Sequence, residues 1–159
     1  MRFRRFLDSA LGHVATLLGA PPPRLQAAAL PYRLVDGEFQ FLLITSNRTK
    51  RWILPKGGIE KGESTAEAAQ REAFEESGVV GQVGKEPIGV YDGRKYLGNG
   101  ATMRLRIVVH ALSVEAMEDE FPEAGARDSM WMSPNEASEA VDESQLAALF
   151  LSAPEKLLD

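Results

Sequence analysis

The chain has 159 residues, 44% of them hydrophobic, and no cysteine. That composition suits one compact domain with its own core and excludes disulfide scaffolding and thiol chemistry, and it is compatible with a reducing cytoplasm. The net charge of −5 argues against generic nucleic-acid binding, and no apolar run reaches the length of a membrane span. The charge is uneven, since residues 1–47 carry five Lys/Arg against three Asp/Glu, residues 48–106 eleven against eight, and residues 107–159 two against twelve.

In chain order, residues 1–23 read as a unit apart from the rest. Phe3, Phe6, Leu7, Ala10, Leu11, Val14, Leu17 and Leu18 recur at helical spacing and give one apolar stripe. Gly19 and Pro21-Pro22-Pro23 end it and form a stiff connector. Three readings stand for this segment: a helix packed on the domain or on a partner copy as a homodimer element, a membrane-surface contact, or a cleaved signal. From Arg24 to residue 159 the pattern is that of one catalytic domain. Leu25–Val35 and Glu38–Thr45 read as strands joined by Asp36-Gly37, a strong hairpin signal. Short strands follow near Trp52–Leu54, Val79–Val83 and Ile88–Tyr91, and Asn99-Gly100 turns the chain into a long strand, Thr102–Val114. An acidic irregular stretch, 115–129, precedes a strand at Met130–Met132. Ser133-Pro134-Asn135-Glu136 is a capping box with Pro at the first helical position, and a last helix covers Glu143 to about Leu151. Strands interspersed with few helices imply a mixed sheet between helical layers.

The chemistry gathers between Gly57 and Val79. Ser64 and Glu67 form a capping box, the run Thr65–Glu76 lacks Gly and Pro, and Gly78 suits the left-handed position that ends a helix. On that helix Glu72, Glu75 and Glu76 stand at i, i+3 and i+4, so the three carboxylates share one face. Carboxylates that close repel one another, and a hard divalent cation relieves the conflict. A solvated acidic helix face is the plain alternative for a lone E-x-x-E-E. Here Gly57, Glu63 and Arg71 are also in register, completing G-x5-E-x7-R-E-U-x-E-E-x-G-U with U aliphatic or small. Average residue usage would produce such a match by accident roughly once in 10^8 windows.

This is the signature of the Nudix hydrolases, which the sequence resembles. The resemblance implies an α/β/α sandwich (the Nudix fold) and hydrolysis of a diphosphate linkage with Mg2+, or alternatively Mn2+, as cofactor. It assigns Glu72 and Glu76 to the metal, with the backbone carbonyl of Lys56 or Gly57 as a further donor, and Glu75 to the general base. Glu63 and Arg71 would brace the loop that carries Gly57 against the helix. Glu118 or Glu120 of the acidic loop could instead supply a base. His13 and His110 offer no convincing alternative, His110 lying within a strand as a packing residue.

The stretch Arg51–Lys61 and the later Ser77–Gly81 look most like the diphosphoinositol polyphosphate and diadenosine polyphosphate phosphohydrolase branch. That likeness places substrate contacts at Arg24, Gln26, Ser46, Arg48, Arg94 and Arg127, within a basic collar that also includes Lys50, Arg51, Lys61, Lys95, Arg104 and Arg106. Gln26 stands where the branch has a basic residue, and the Arg48 loop is one residue shorter. Both departures favour a dinucleoside polyphosphate over an inositol pyrophosphate. Two other readings are carried forward: removal of diphosphate from an RNA 5′ end, and a catalytically silent nucleotide-binding regulator. The first would need exposed aromatics among Tyr32, Phe39, Trp52, Tyr91 and Tyr96.

Overall fold

A computed structural model describes residues 19–158. The helix expected over residues 1–18 lies outside the described residues. β1 (Arg24–Val35) and β2 (Glu38–Thr45) form the hairpin. Asp36 and Gly37 both take positive φ, 52° and 79°, matching the right-handed twist of the strands they join. There follow β3 (Trp52–Ile53), β4 (Lys56–Gly58), α1 (Thr65–Ser77), β5 (Val79–Val83), β6 (Gly89–Tyr96), β7 (Thr102–Met117), β8 (Ser129–Met132), α2 (Pro134–Ala140) and α3 (Ser144–Leu158).

The strands make one mixed eight-stranded sheet centred on β1, which runs parallel to β7 and antiparallel to β2 and β4. Two cores lie on its two faces. Ala27 and Ala29 point to one face and pack with Leu42, Leu112 and Ala68, Ala69 and Ala73 of α1. Ala28 and Leu30 point to the other and pack with Phe41, Ile107, Val109, Ala137 of α2, and Leu146 and Phe150 of α3. A strand covered on both faces reads as a continuous apolar run rather than an alternating one, which accounts for Ala27-Ala28-Ala29-Leu30. The small side chains let α1 lie close to the sheet. Phe41 stacks on Phe150 with ring centroids 5.7 Å apart, tying the hairpin to α3. This is the α/β/α sandwich the sequence implies.

The structure departs from the sequence expectation in four places, the first being that β7 runs past Val114 to Met117, into the stretch that reads as irregular, because Ala116 and Met117 pair with β5. β4 is a strand where the Gly-rich stretch reads as a loop; its order comes from pairing with β1, Ala27 opposite Gly57, and not from any side-chain pattern. β6 continues to Tyr96 because each of its residues has a partner on β7. α3 runs on through Pro154, because Ala153 and Leu157 extend its apolar seam on both sides of the proline.

Candidate active site

The site starts from the ends of α1. Ser64 accepts from the Glu67 amide (3.1 Å) while the Glu67 carboxylate accepts from the Ser64 amide (2.9 Å), so two orphan donors are satisfied together. At the other end Gly78 adopts φ 75° and its N–H reaches the Phe74 carbonyl at 2.9 Å. Any larger residue at 78 would be strained in that conformation and would meet the Phe121 ring. The helix is thereby fixed in length and rotation, and so are its carboxylates.

Arg71 gathers the near end of the motif. Its guanidinium donates to both oxygens of Glu63 (2.7 and 2.9 Å), to the Gly58 carbonyl (2.9 Å), to Glu72 Oε1 (2.8 Å) and to Glu75 Oε2 (3.3 Å). Loop and helix are thus clamped by one side chain. Hydrogen bonds from Arg71 first, then from the Glu60 amide, hold the Glu63 carboxyl down at about 2.

Glu76 lives differently. Its side chain is only 7% exposed, and burial is the main cause of a pKa well above the carboxylate range; Arg127 opposes the rise and Glu72 adds to it. The Lys56 amide donates to Glu76 Oε2 at 3.3 Å, and Arg127 stands 3.7 Å from Oε1. A Cβ on Gly57 would strike the Glu72 carboxylate, so glycine there leaves room for Glu72 to turn toward Glu76. The Lys56 ammonium is also buried, and loss of hydration lowers its pKa against the pull of Glu76 and Glu143.

These groups open on a cleft of about 400 Å³. Of the residues expected from sequence, Glu72, Glu76, Lys56 and Gly57 line it, as do Gln26, Ser46, Arg48, Arg94 and Arg127. Arg24 and Glu75 do not line it. Arg24 is exposed at the start of β1, opposite Leu105. The Glu75 carboxylate is turned onto Arg71. The Ser46 hydroxyl is engaged in its own loop, with Thr49 at 2.7 Å and the Arg51 amide at 3.1 Å. The Arg48 guanidinium lies against Gly98 of the β6–β7 turn, whose φ of 81° favours glycine.

Sequence reasoning missed one group tied to the site. The acidic-loop carboxylate tied to the site is Glu123, 3.2 Å from Arg127, which also donates to the Thr45 carbonyl at 3.1 Å. The i, i+4 spacing of Glu123 and Arg127 was the available signal. Gln26 Oε1 and Arg127 Nε are buried without hydrogen-bond partners. His110 is fully buried, with Nδ1 2.8 Å from the Gly84 carbonyl and Nε2 2.7 Å from the Thr65 hydroxyl. Both ring nitrogens are used for packing. Of the candidate aromatics, Phe39 and Tyr91 are core and Tyr32 and Trp52 pack against it; Tyr96 alone among them lines the cleft.

Among the described residues no three His, Asp or Glu side chains converge to form an all-protein metal cage. What converges is a pair, Glu72 and Glu76, open to the cleft, in which burial above all and then the neighbouring Glu72 raise the pKa of Glu76. Mg2+ is ordinarily held by one or two carboxylates, with water and substrate phosphates completing its shell. The donor set fits such an ion.

Residues 24–151 match the NUDIX domain. Nudix hydrolase 13, mitochondrial, of Arabidopsis thaliana is 34% identical over 137 residues, covering 73% of this chain and 66% of that protein. Nudix hydrolase 18, mitochondrial, of the same plant is 33% identical over 124 residues, covering 74% and 68%. The chain therefore spans about two-thirds of the length of these relatives. Among solved structures, a binary complex of C. elegans Ap4A hydrolase superposes with TM-score 0.64 at 20% identity, covering 85% of this chain and 98% of that one. The NUDIX domain of Shewanella oneidensis NrtR, complexed with ADP ribose, gives TM-score 0.63 at 18% identity, covering 88% and 92%. This chain belongs to the Nudix family.

Proposed function

We propose that the protein is a metal-dependent pyrophosphohydrolase of the diadenosine polyphosphate type, cleaving a diphosphate linkage in a dinucleoside polyphosphate. The observation that carries this reading is the cleft itself, in which six Lys/Arg side chains face Glu72 and Glu76. Such a wall suits a ligand with several phosphates, because charge-assisted hydrogen bonds from Lys and Arg are stronger than neutral ones.

Glu72 and Glu76 would hold Mg2+, or Mn2+, with the Lys56 carbonyl as a further donor; bound there, the ion activates water and neutralises phosphate charge. Arg48, Arg94 and Arg127 grip phosphate oxygens and orient the chain of anhydrides. Gln26 offers an acceptor with no internal partner, while Arg24, exposed at the start of β1 and outside the cleft lining, would meet only a part of the substrate that extends beyond the cleft. A water oxygen forms a bond to phosphorus, the bridging P–O bond breaks, and the proton goes to Glu75. Glu75 can take it because its bond to Arg71, at 3.3 Å, is the longest of the five that Arg71 makes there; a side-chain rotation frees it while the clamp on Glu63 stays closed. Among the described residues Tyr96 is the one aromatic lining the cleft, which gives little of the stacking platform an RNA end would use. A silent regulator would not need the Glu72–Glu76 crowding.

Phosphate release at fixed Mg2+ is to be compared across dinucleoside polyphosphates, nucleotide sugars, inositol pyrophosphates and triphosphorylated RNA. Turnover of the first group above the others is expected. No release from any class with either ion overturns the reading.

A further inference from the structure

A second cavity, of about 300 Å³, adjoins the cleft and shares Arg51, Arg94, Tyr96 and Leu105 with it. Its electrostatics are different. The cleft carries six Lys/Arg against two Glu, whereas the side cavity carries three Arg against three Asp/Glu. Arg51 is already committed there, donating to Asp142 at 3.3 Å and to Glu143 at 3.0 Å, and Arg106 holds Asp92 at 3.2 Å from behind. A phosphate entering this cavity would meet Asp142 and Glu143 with the nearest cation neutralised.

The cavity does have what an uncharged, donor-bearing group uses. Glu143 Oε2 is buried with no hydrogen-bond partner, so the carboxylate is half satisfied. Tyr96, 44% exposed, stands at the junction with the Arg51 guanidinium 5.3 Å from its ring centroid. An aromatic face with a backing cation and nearby acceptors suits a flat, amine- or hydroxyl-bearing ring. The volume lies at the small end of ligand pockets, roughly 300–1,000 Å³. It accommodates one base and sugar rather than a whole dinucleotide.

Resting on the hydrolase reading above, we infer that this cavity is a nucleoside subsite, holding the phosphate-free end of the substrate while the cleft holds its phosphates, with Glu143 as the specificity-determining acceptor and Tyr96 as the platform.

The test is equilibrium binding by calorimetry on the full chain without divalent ions, so that it does not depend on turnover. The probes are ADP, which carries a nucleoside, and inorganic tripolyphosphate, which does not. Glu143→Gln and Tyr96→Ala are expected to weaken ADP about tenfold and tripolyphosphate less than about twofold, the effect of one good hydrogen bond or one stacked ring. Tyr96→Phe, which keeps the ring, should retain ADP binding. Arg48→Ala should weaken both probes together. Parallel losses on both probes in Glu143→Gln and Tyr96→Ala, or no loss on ADP, overturn the subsite. Inosine diphosphate and 2′,3′-dideoxy-ADP then separate the donors. If the Glu143→Gln effect vanishes with the former, the donor is the exocyclic amine; if with the latter, the ribose hydroxyls. Persistence of the full effect on both overturns the role of Glu143. A protein that binds ADP in this pattern yet hydrolyses nothing sinks the hydrolase reading alone.

Discussion

Glu63 and Glu76 belong to one motif and sit in opposite electrostatic worlds. Glu63 has both oxygens on Arg71 and one on the Glu60 amide, and its carboxyl is held at about 2. Glu76 is buried beside Glu72 with only the Lys56 amide and a distant Arg127 to offset the loss of water, and its pKa is driven up. Thus the loop end of the helix is a satisfied structural clamp, while its cleft end stores a conflict that a cation would relieve.

The contrast is broken most directly by Glu76→Gln. Turnover should fall below about a tenth of wild type at saturating Mg2+, a loss of at least ~1.4 kcal/mol in transition-state stabilisation, while the urea midpoint in metal-free buffer stays level or rises. Activity near wild type would remove Glu76 from the metal site. Arg71→Ala should do the reverse, acting on stability first. It strands Glu63 and uncouples the loop from α1, at a cost of about 2 kcal/mol, somewhat below the cost of breaking a fully buried pair because the guanidinium is partly solvated. Chemical denaturation measures this, and a shift under about 0.5 kcal/mol would mean the clamp is ornamental.

The same pair gives two pH dependences of opposite sign. Glu63 is depressed from an ordinary 4.5 to about 2, so its share of stability is present above 4.5 and is lost as pH falls toward 2. Glu76 is raised, so in metal-free protein its share is present below 4.5 and is lost as pH rises through the elevated pKa. Gln resembles the protonated carboxyl, so denaturation midpoints of Glu63→Gln and Glu76→Gln, taken from pH 3 to 9, should approach wild type toward the acid end and part from it in opposite directions as pH rises, Glu63→Gln falling below and Glu76→Gln rising above. Curves that run parallel would refute the assignment. The smallest effect expected is at the rim. Arg48→Ala should reduce kcat/KM about fivefold for diadenosine hexaphosphate and less than twofold for the triphosphate, since one charge-assisted bond is lost only where a phosphate reaches it. Equal losses on both would make Arg48 an ordinary surface charge.

Much of this was legible in the chain. Ser64, Glu67 and Gly78 bound α1 because caps are local chemistry, and Asp36-Gly37 set the hairpin for the same reason. The positions of Glu72 and Glu76 followed from helical spacing. That spacing also put Glu75 on the shared face, yet Arg71, one turn earlier, draws its carboxylate out of the cleft, and which of two neighbours a side chain turns to is not a matter of periodicity. β4 was hidden because glycines carry no pattern and its order is borrowed from β1. The Arg51–Glu143 link joins residues far apart in sequence, so neither one's role could be read from its neighbours.

The parallel pairing of β1 with β7 sets Ala27 beside Val108, and so imposes an order on the life of the chain. During synthesis, at about 5–20 residues per second, β1 emerges several seconds before the strand it must lie against. Its hairpin partner β2 arrives early and locally, whereas the cleft needs Gln26 from β1 and Leu105 from β7 on the same wall. Closing so long a loop is slow relative to forming the hairpin and α1. The basic wall of the cleft is consequently among the last parts of the molecule to exist, and a nascent chain carries its acidic helix well before it has a cleft to put it in.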